Sequence, residues 1–387
     1  MDGVTITLLF LIFAIVMFVW ERIPLSVTAM IVAVGLVVTG VLSPKDAFAG
    51  FVDTNVLLFM AMFIVGAAFF ETGVARDVGG IVTKFAGTER KLIISVMLIT
   101  GLMSGFLSNT GTAAVLIPVA IGLAQRAGFN RAKFLLPLVL ASAMGGNLSL
   151  IGAPGNMIAQ SGLSKIGLSF GFFDYALIGL PVLIVGILYF VLIGYKLLPD
   201  EPARQPEEIY EETDYSKVPK YKKWIAGIVL IATIVGMIFE QQIGIKLYVT
   251  AWIGALVLIV TGTISETAAV KSIDMKTILL FVGSLALADA LVKTGTGTVV
   301  ADAIIGALGS HPSPFVLMAV VFIISAVLTN FMSNTATTAL LVPIGISLAQ
   351  QVGADPKAVL MATVIGGAEG GFNGQTAASS GNDKYHS

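Results

Sequence analysis

The sequence contains no cysteine and only two histidines, His311 and His386. The first absence excludes disulfides, thiolate metal sites and iron–sulfur clusters. The second leaves no histidine pair for a metal and no histidine base beside a membrane serine, which argues against an enzyme such as an intramembrane hydrolase. Charge is scarce too. Charged residues make up 12% of 387 positions and nearly cancel, to a net −1 that by itself says nothing of a partner; no nucleic-acid partner is expected. Against this, 56% of the chain is hydrophobic and 42 residues are glycine, a composition that points to a polytopic all-α membrane protein in the cytoplasmic (inner) membrane.

Apolar runs at 4–20, 25–41, 56–70, 175–198, 224–239, 247–260 and 278–292 have spanning or near-spanning length. The first lacks a basic leader and a small-residue cleavage site, so it reads as a permanent helix. One polar stretch, 199–223, mixes glutamates with Lys217, Lys220, Lys222 and Lys223 and reads as a cytoplasmic linker between two halves.

The halves repeat each other. "IPLSVTAMIVAVGLVVTGVLS" from Ile23 lies over "IKLYVTAWIGALVLIVTGTIS" from Ile245, and "VLLFMAMFIVGAAFFETG" from Val56 over "ILLFVGSLALADALVKTG" from Ile278. "FLSNTGTAAVLIPVA" from Phe106 lies over "FMSNTATTALLVPIG" from Phe331, aligning Pro118 with Pro343. Repeats in this order indicate an internal duplication, as in many secondary transporters.

Lysine and arginine accumulate in short cytoplasmic loops. In the first copy they flank both ends of 92–125: Arg76, Lys84, Arg90 and Lys91 on one side, Arg126, Arg131 and Lys133 on the other. A segment that leaves from and returns to one face suits a re-entrant hairpin. In the second copy 314–350 lacks such flanks, so its ends are expected outside and the repeats inverted. Each repeat is then expected to hold three spanning helices, an interfacial helix, a re-entrant hairpin and a broken helix. The first repeat, 1–198, comprises scaffold helices in 4–73, the hairpin 92–125, a broken helix 134–158 and a closing helix 175–198. After the linker, the second, 224–387, comprises scaffold helices in 224–292, the hairpin 314–350 and an incomplete broken helix 357–387, without a last helix.

Two hairpins entering from opposite faces would bring Ser108-Asn109-Thr110 and Ser333-Asn334-Thr335 to the bilayer midplane. Irregular backbone is tolerated there only where it is buried in protein or lines a cavity. Asparagine offers a carbonyl oxygen and two donors, and hydroxyls donate or accept, so such a set can hold a hard cation and a carboxylate or oxyanion together. Ser104 and Thr329 lie one turn before the triad serines on the same helix face. In "ASAMGGNLSLIGAPGNMIAQ", Gly145, Gly146, Gly152, Pro154 and Gly155 interrupt a helix and Asn147, Ser149 and Asn156 surround the break. Such a discontinuous helix offers carbonyls to a cation and a half-helix N-terminus to an anion.

The paired SNT triads and the "IGAPGN" loop resemble those of the divalent anion:sodium symporter (DASS, INDY-type) family of the ion transporter superfamily, over roughly residues 4–367. The resemblance implies a homodimeric, elevator-type symporter of a di- or tricarboxylate or sulfate, with two Na+ ions as coupling cofactor. By motif position it implies one sodium site at Ser104, Ser108, Asn109 and the Gly152 backbone. It implies the second at Thr329, Asn334 and the Met332 backbone, with substrate held by both triads and the Ala153-Pro154 step. Two departures stand out. Ala153 replaces the hydroxyl common in that loop, and the second copy ends in "VIGGAEGGFNGQTAASSGNDKYHS", with Ala377 where the facing loop belongs and no prolyl motif. An anion exchanger, an arsenite or sodium/proton antiporter of the same superfamily, and a non-transporting membrane scaffold remain as alternatives. Asp289 and Glu369 are acids at or near membrane depth, and Asp289 is expected to pair with Lys293 one turn on.

Overall fold

The computed structural model describes residues 2–80, 88–126, 130, 132–198, 215–308 and 312–370, apart from a few side chains, among them Thr110. Most of the linker, Arg131, His311 and everything after Gly370, with Ala377 and the rest of the incomplete broken helix, lie outside the described residues. Among those described there is no β-strand. The helices are α1 Gly3–Trp20, α2 Leu25–Val38, α3 Pro44–Ala47, α4 Thr54–Glu71, α5 Val74–Gly80, α6 Glu89–Ser104, α7 Asn109–Arg126, α8 Ala132–Gly145, α9 Pro154–Lys165 and α10 Ala176–Leu192. There follow α11 Lys220–Ile238, α12 Glu240–Ile243, α13 Leu247–Val260, α14 Glu266–Ser272, α15 Met275–Thr294, α16 Thr296–Leu308, α17 Pro314–Leu328, α18 Asn334–Val352 and α19 Pro356–Glu369.

By length and composition α1, α4, α11, α15 and α18 can each cross a membrane. The corresponding helices α2 and α13 have 14 residues each; at 1.5 Å per residue that is about 21 Å, less than the hydrocarbon thickness. The expected linker is also shorter than 199–223, because Lys220, Lys222 and Lys223 already belong to the first turn of α11. Long lysine stems can run along an apolar helix while their ammonium groups stay in water, so a charged run need not be loop.

The chain forms two compact units, and each draws on both halves of the sequence. One unit comprises Met1–Met60, Pro154–Gly171 and Asp274–Asn373. In it α15 lies on α2 so closely that a side chain at Gly283 would collide with the backbone of Ala29. Leu11, Ala33, Leu36, Leu287 and Leu291 are buried in the same apolar core as Leu340 and Leu348 of α18. Helices α17, α18 and α19 pack together there, and α9 fits against α18 with Gly162 beneath Val342 and Ile346.

The other unit comprises Ala61–Ala153 and Phe172–Ile273. Its centre is the crossing of α6 and α8, where Gly145 lies on the backbone of Gly101. Lys133 at the start of α8 is 3.8 Å from Glu89 at the start of α6. The starts of α6 and α8 therefore lie together in this unit.

Candidate solute-binding site

In both copies the polar triad marks a break between two helices and the head of the second. The Gly111 N–H donates to Ser108 Oγ (3.1 Å) at the head of α7, and the Ala336 N–H donates to Ser333 Oγ (3.2 Å) at the head of α18. Each triad serine is thus an N-cap, which satisfies one of the first amides of its helix. The asparagine follows as the first helical residue. Ser104 Oγ donates to Asn109 Oδ1 (2.7 Å), and Thr329 Oγ1 donates to Asn334 Oδ1 (2.6 Å). One hydrogen bond, with the same spacing and polarity, therefore closes both tips.

At the first tip the break in α8–α9 supplies the opposite wall. Ser104 Oγ is also 2.6 Å from the carbonyl oxygen of Ser142, and Ser142 Oγ donates to the Asn109 carbonyl (2.7 Å). A single hydroxyl proton thus lies among three oxygens: Ser104 Oγ, Asn109 Oδ1 and the Ser142 carbonyl. Gly146 faces the Asn109 amide so closely that an added Cβ would lie 2.5 Å from Oδ1. Gly152 in turn covers the carbonyl oxygens of Gly146 and Gly105, and Ser149 Oγ donates to the latter. The structure so brings together Ser104, Ser108, Asn109 and Gly152 around neutral oxygens, with Ala153 buried beside them.

At the second tip Thr329 and Met332 are buried while Asn334 is exposed, and Thr335 is half-buried. Among the described residues no glycine loop covers Asn334 as Gly146 covers Asn109. Instead, Thr338 Oγ1 donates to the Asn334 carbonyl (2.9 Å) and lies beneath Gly155, where an added Cβ would be 2.9 Å away. The first turn of α9, which begins at Pro154, thus rests on the first turns of α18. Ser325 Oγ donates to the Thr363 carbonyl (2.6 Å), joining α17 to α19 over 38 residues, the separation that Ser104 spans to Ser142.

Ser142, Ser325 and Thr338 carry this network and were not among the residues read from sequence. A hydroxyl in an apolar helix ordinarily bonds back to its own chain, so nothing in the sequence set these three apart. Thr112 and Thr337, at equivalent positions one turn into α7 and α18, are fully buried, and among the described residues their hydroxyls find no partner. Asp289 does not pair with Lys293. Its carboxylate meets the Lys165 ammonium at the end of α9, while Lys293 reaches Asp46 at 3.7 Å. A helix neighbour one turn away loses to a cation delivered by another helix, because α15 turns Asp289 toward α9.

Residues 15–366 match the profile of the citrate transporter (CitMHS) family. The chain belongs to that family. The members of that family are multi-pass membrane transporters of the ion transporter superfamily rather than enzymes. The chain is 34% identical over 211 residues to the uncharacterized transporter YfbS of Escherichia coli, covering 54% of this chain and 35% of that protein. To an uncharacterized transporter of Synechocystis it is 34% identical over 198 residues, covering 51% and 32%. Each alignment spans about a third of those relatives. A Haemophilus influenzae transporter, also uncharacterized, is 29% identical over 360 residues, covering 88% of this chain and 76% of its own length. In fold the chain is similar to the YdaH transporter of Alcanivorax borkumensis (TM-score 0.57, 16% identity, 92% and 87% covered). It is likewise similar to MtrF of Neisseria gonorrhoeae, described within a class of antimetabolite efflux pumps (TM-score 0.61, 17% identity, 96% and 85% covered).

Proposed function

We propose that the chain is a sodium-coupled symporter of a small divalent anion, a di- or tricarboxylate or sulfate, of the DASS type. In this reading the two repeats are inverted in the inner membrane, and a homodimer moves solute by an elevator motion. The observation that carries it is the hydrogen bond made twice, Ser104 to Asn109 and Thr329 to Asn334, at the head of helices that both begin with a serine cap.

Sodium takes oxygen ligands, and the first tip is rich in them. Ser104 Oγ, Asn109 Oδ1 and the Ser142 carbonyl approach within 2.6–2.7 Å with one proton among them, a crowding that a cation relieves. Ser108 and the Gly152 backbone border this group. At the second tip Thr329, Asn334 and the Met332 backbone take the corresponding roles. Helix amide ends favour negative charge, and by motif position the anion would be held by Ser108, Asn109, Thr110, Ala153, Pro154, Ser333, Asn334 and Thr335. Membership of a citrate transporter family supports a carboxylate over sulfate.

Uptake of labelled succinate, citrate, sulfate and phosphate into proteoliposomes, under separate sodium, lithium and proton gradients, tests the reading. Sodium-driven uptake of at least one dianion is expected. Uptake of every transported anion without sodium would replace symport by exchange or antiport.

A further inference from the structure

Three phenylalanine rings meet at the first tip. Phe106 stands in the break between α6 and α7, two residues before Ser108. Its ring meets two others from the chain between α9 and α10: Phe172, stacked with ring centroids 6.5 Å apart, and Phe173, edge-on at 6.4 Å. Phe172 and Phe173 are themselves edge-on at 4.9 Å. Rings in such contact restrict one another's orientation, because each pair favours an offset or edge-on arrangement over a face-to-face sandwich.

The adjoining backbone belongs to the oxygen-rich group around Asn109. Gly105 immediately precedes Phe106, and its carbonyl accepts from Ser149 Oγ. Gly152 lies over that same carbonyl, where an added Cβ would be 3.0 Å away. In the facing break the Leu150 N–H donates to the Phe172 carbonyl at 2.9 Å, and the Ile151 N–H donates to Ser149 Oγ at 3.2 Å. The contacts form a closed circuit. The tip holds the break through Gly105 and Ser149, the break holds the 172–173 segment through Leu150, and that segment returns to the tip through its rings. Phe331 occupies the position of Phe106 in the second copy; it is exposed, and among the described residues it meets no aromatic ring.

We propose that Phe106, Phe172 and Phe173 are positioning residues for the first cation site, a clasp that holds the Gly105 and Gly152 backbone in the geometry that receives the ion. This role rests on the reading of the first tip as a sodium site. A phenyl ring supplies no oxygen ligand, so its loss changes the shape of the site and not the number of its ligands. Sodium affinity at the first tip then depends on side chains that do not touch the ion, and affinity at the second does not.

Because the chain has no cysteine, one introduced residue can report on each tip: Ala114→Cys, at an exposed position on α7, for the first, and Phe331→Cys for the second. Protection of each from a maleimide is titrated with sodium in the absence of substrate. Phe106→Leu and Phe173→Leu should each raise the half-protecting sodium concentration at position 114 roughly two- to tenfold, and leave it unchanged at position 331. Phe173→Leu, at an exposed ring, serves if Phe106→Leu folds poorly. Phe106→Tyr keeps the ring and should match the parent protein. So should Tyr189→Leu, which parts the Tyr189–Phe190 pair near the end of α10. Unchanged half-protection at position 114 in the leucine variants overturns the clasp. An equal shift at both positions also overturns it, since general loosening would act on both tips. If neither parent protein is protected by sodium, the sodium reading itself falls, and the clasp with it.

Discussion

The Lys165 ammonium meets the Asp289 carboxylate and also lies 3.4 Å from the Leu285 carbonyl, tying the last residue of α9 to α15. One turn earlier Ser161 Oγ donates to Asp53 Oδ1 and accepts from Asn55 Nδ2, both at 2.9 Å. The helix that begins at the Ala153-Pro154 step is thus fastened by polar bonds along its second half. Both charges are about one-third exposed, which places the pair between a surface bridge and a buried one. A double-mutant cycle of Lys165→Met and Asp289→Asn on thermal stability should give a coupling of about 0.5 to 2 kcal/mol. The charge-swapped pair should recover part of the uptake lost in each single variant. Strict additivity would mean that the contact does not tie α9.

Alanine at Asn109 or Asn334 should abolish uptake and the sodium-dependent protection of an introduced hairpin cysteine measured without substrate. Losing one oxygen ligand costs about 1 to 3 kcal/mol, roughly ten- to hundredfold in sodium affinity. Normal sodium protection in both variants would remove the triads from the cation sites.

Ser142→Ala should impair uptake nearly as much as Ser104→Ala, and the double variant little more than either, because both hydroxyls serve the same group of oxygens around Asn109. Independent losses from the two substitutions would separate them.

Gly146→Ala places a methyl on the Asn109 amide and should cost about 1 to 3 kcal/mol of stability along with most of the uptake. Gly122→Ala, on α7 where no side chain approaches within 4 Å, is the control and should do neither. Uptake rates and Tm of the two proteins distinguish the site from the helix.

Thr112→Val and Thr337→Val remove buried hydroxyls that have no partner among the described residues and should each raise Tm, by about 1 to 3 kcal/mol of stability. A fall in uptake accompanying that rise would mark the hydroxyls as contacts held in reserve for the solute.

The apolar runs made the helices legible: 4–20 becomes α1 Gly3–Trp20, and α17 opens at Pro314 with Ser313 as its cap. The triads were legible as breaks, since polar residues recurring in apolar surroundings need a structural reason. Their local chemistry was less so, because capping by Ser108 and Ser333 and solute binding draw on the same residue types. Ser142 looks like any helix serine until its neighbour on α6 is known. The partner of Asp289 stands 124 residues away, and helical spacing offers only the near candidate, Lys293.

Ser104 and Thr329 make the same bond with different side chains, and the difference lies in freedom rather than connection. Threonine's second substituent on Cβ restricts χ1, whereas serine turns more easily. The two copies have therefore kept one wiring diagram while diverging in stiffness. In the proposed transport cycle the two tips are then not mechanically equivalent: Ser104 has the freer side chain but also the Ser142 carbonyl as a second partner, whereas the Thr329 side chain is restrained by its own branching.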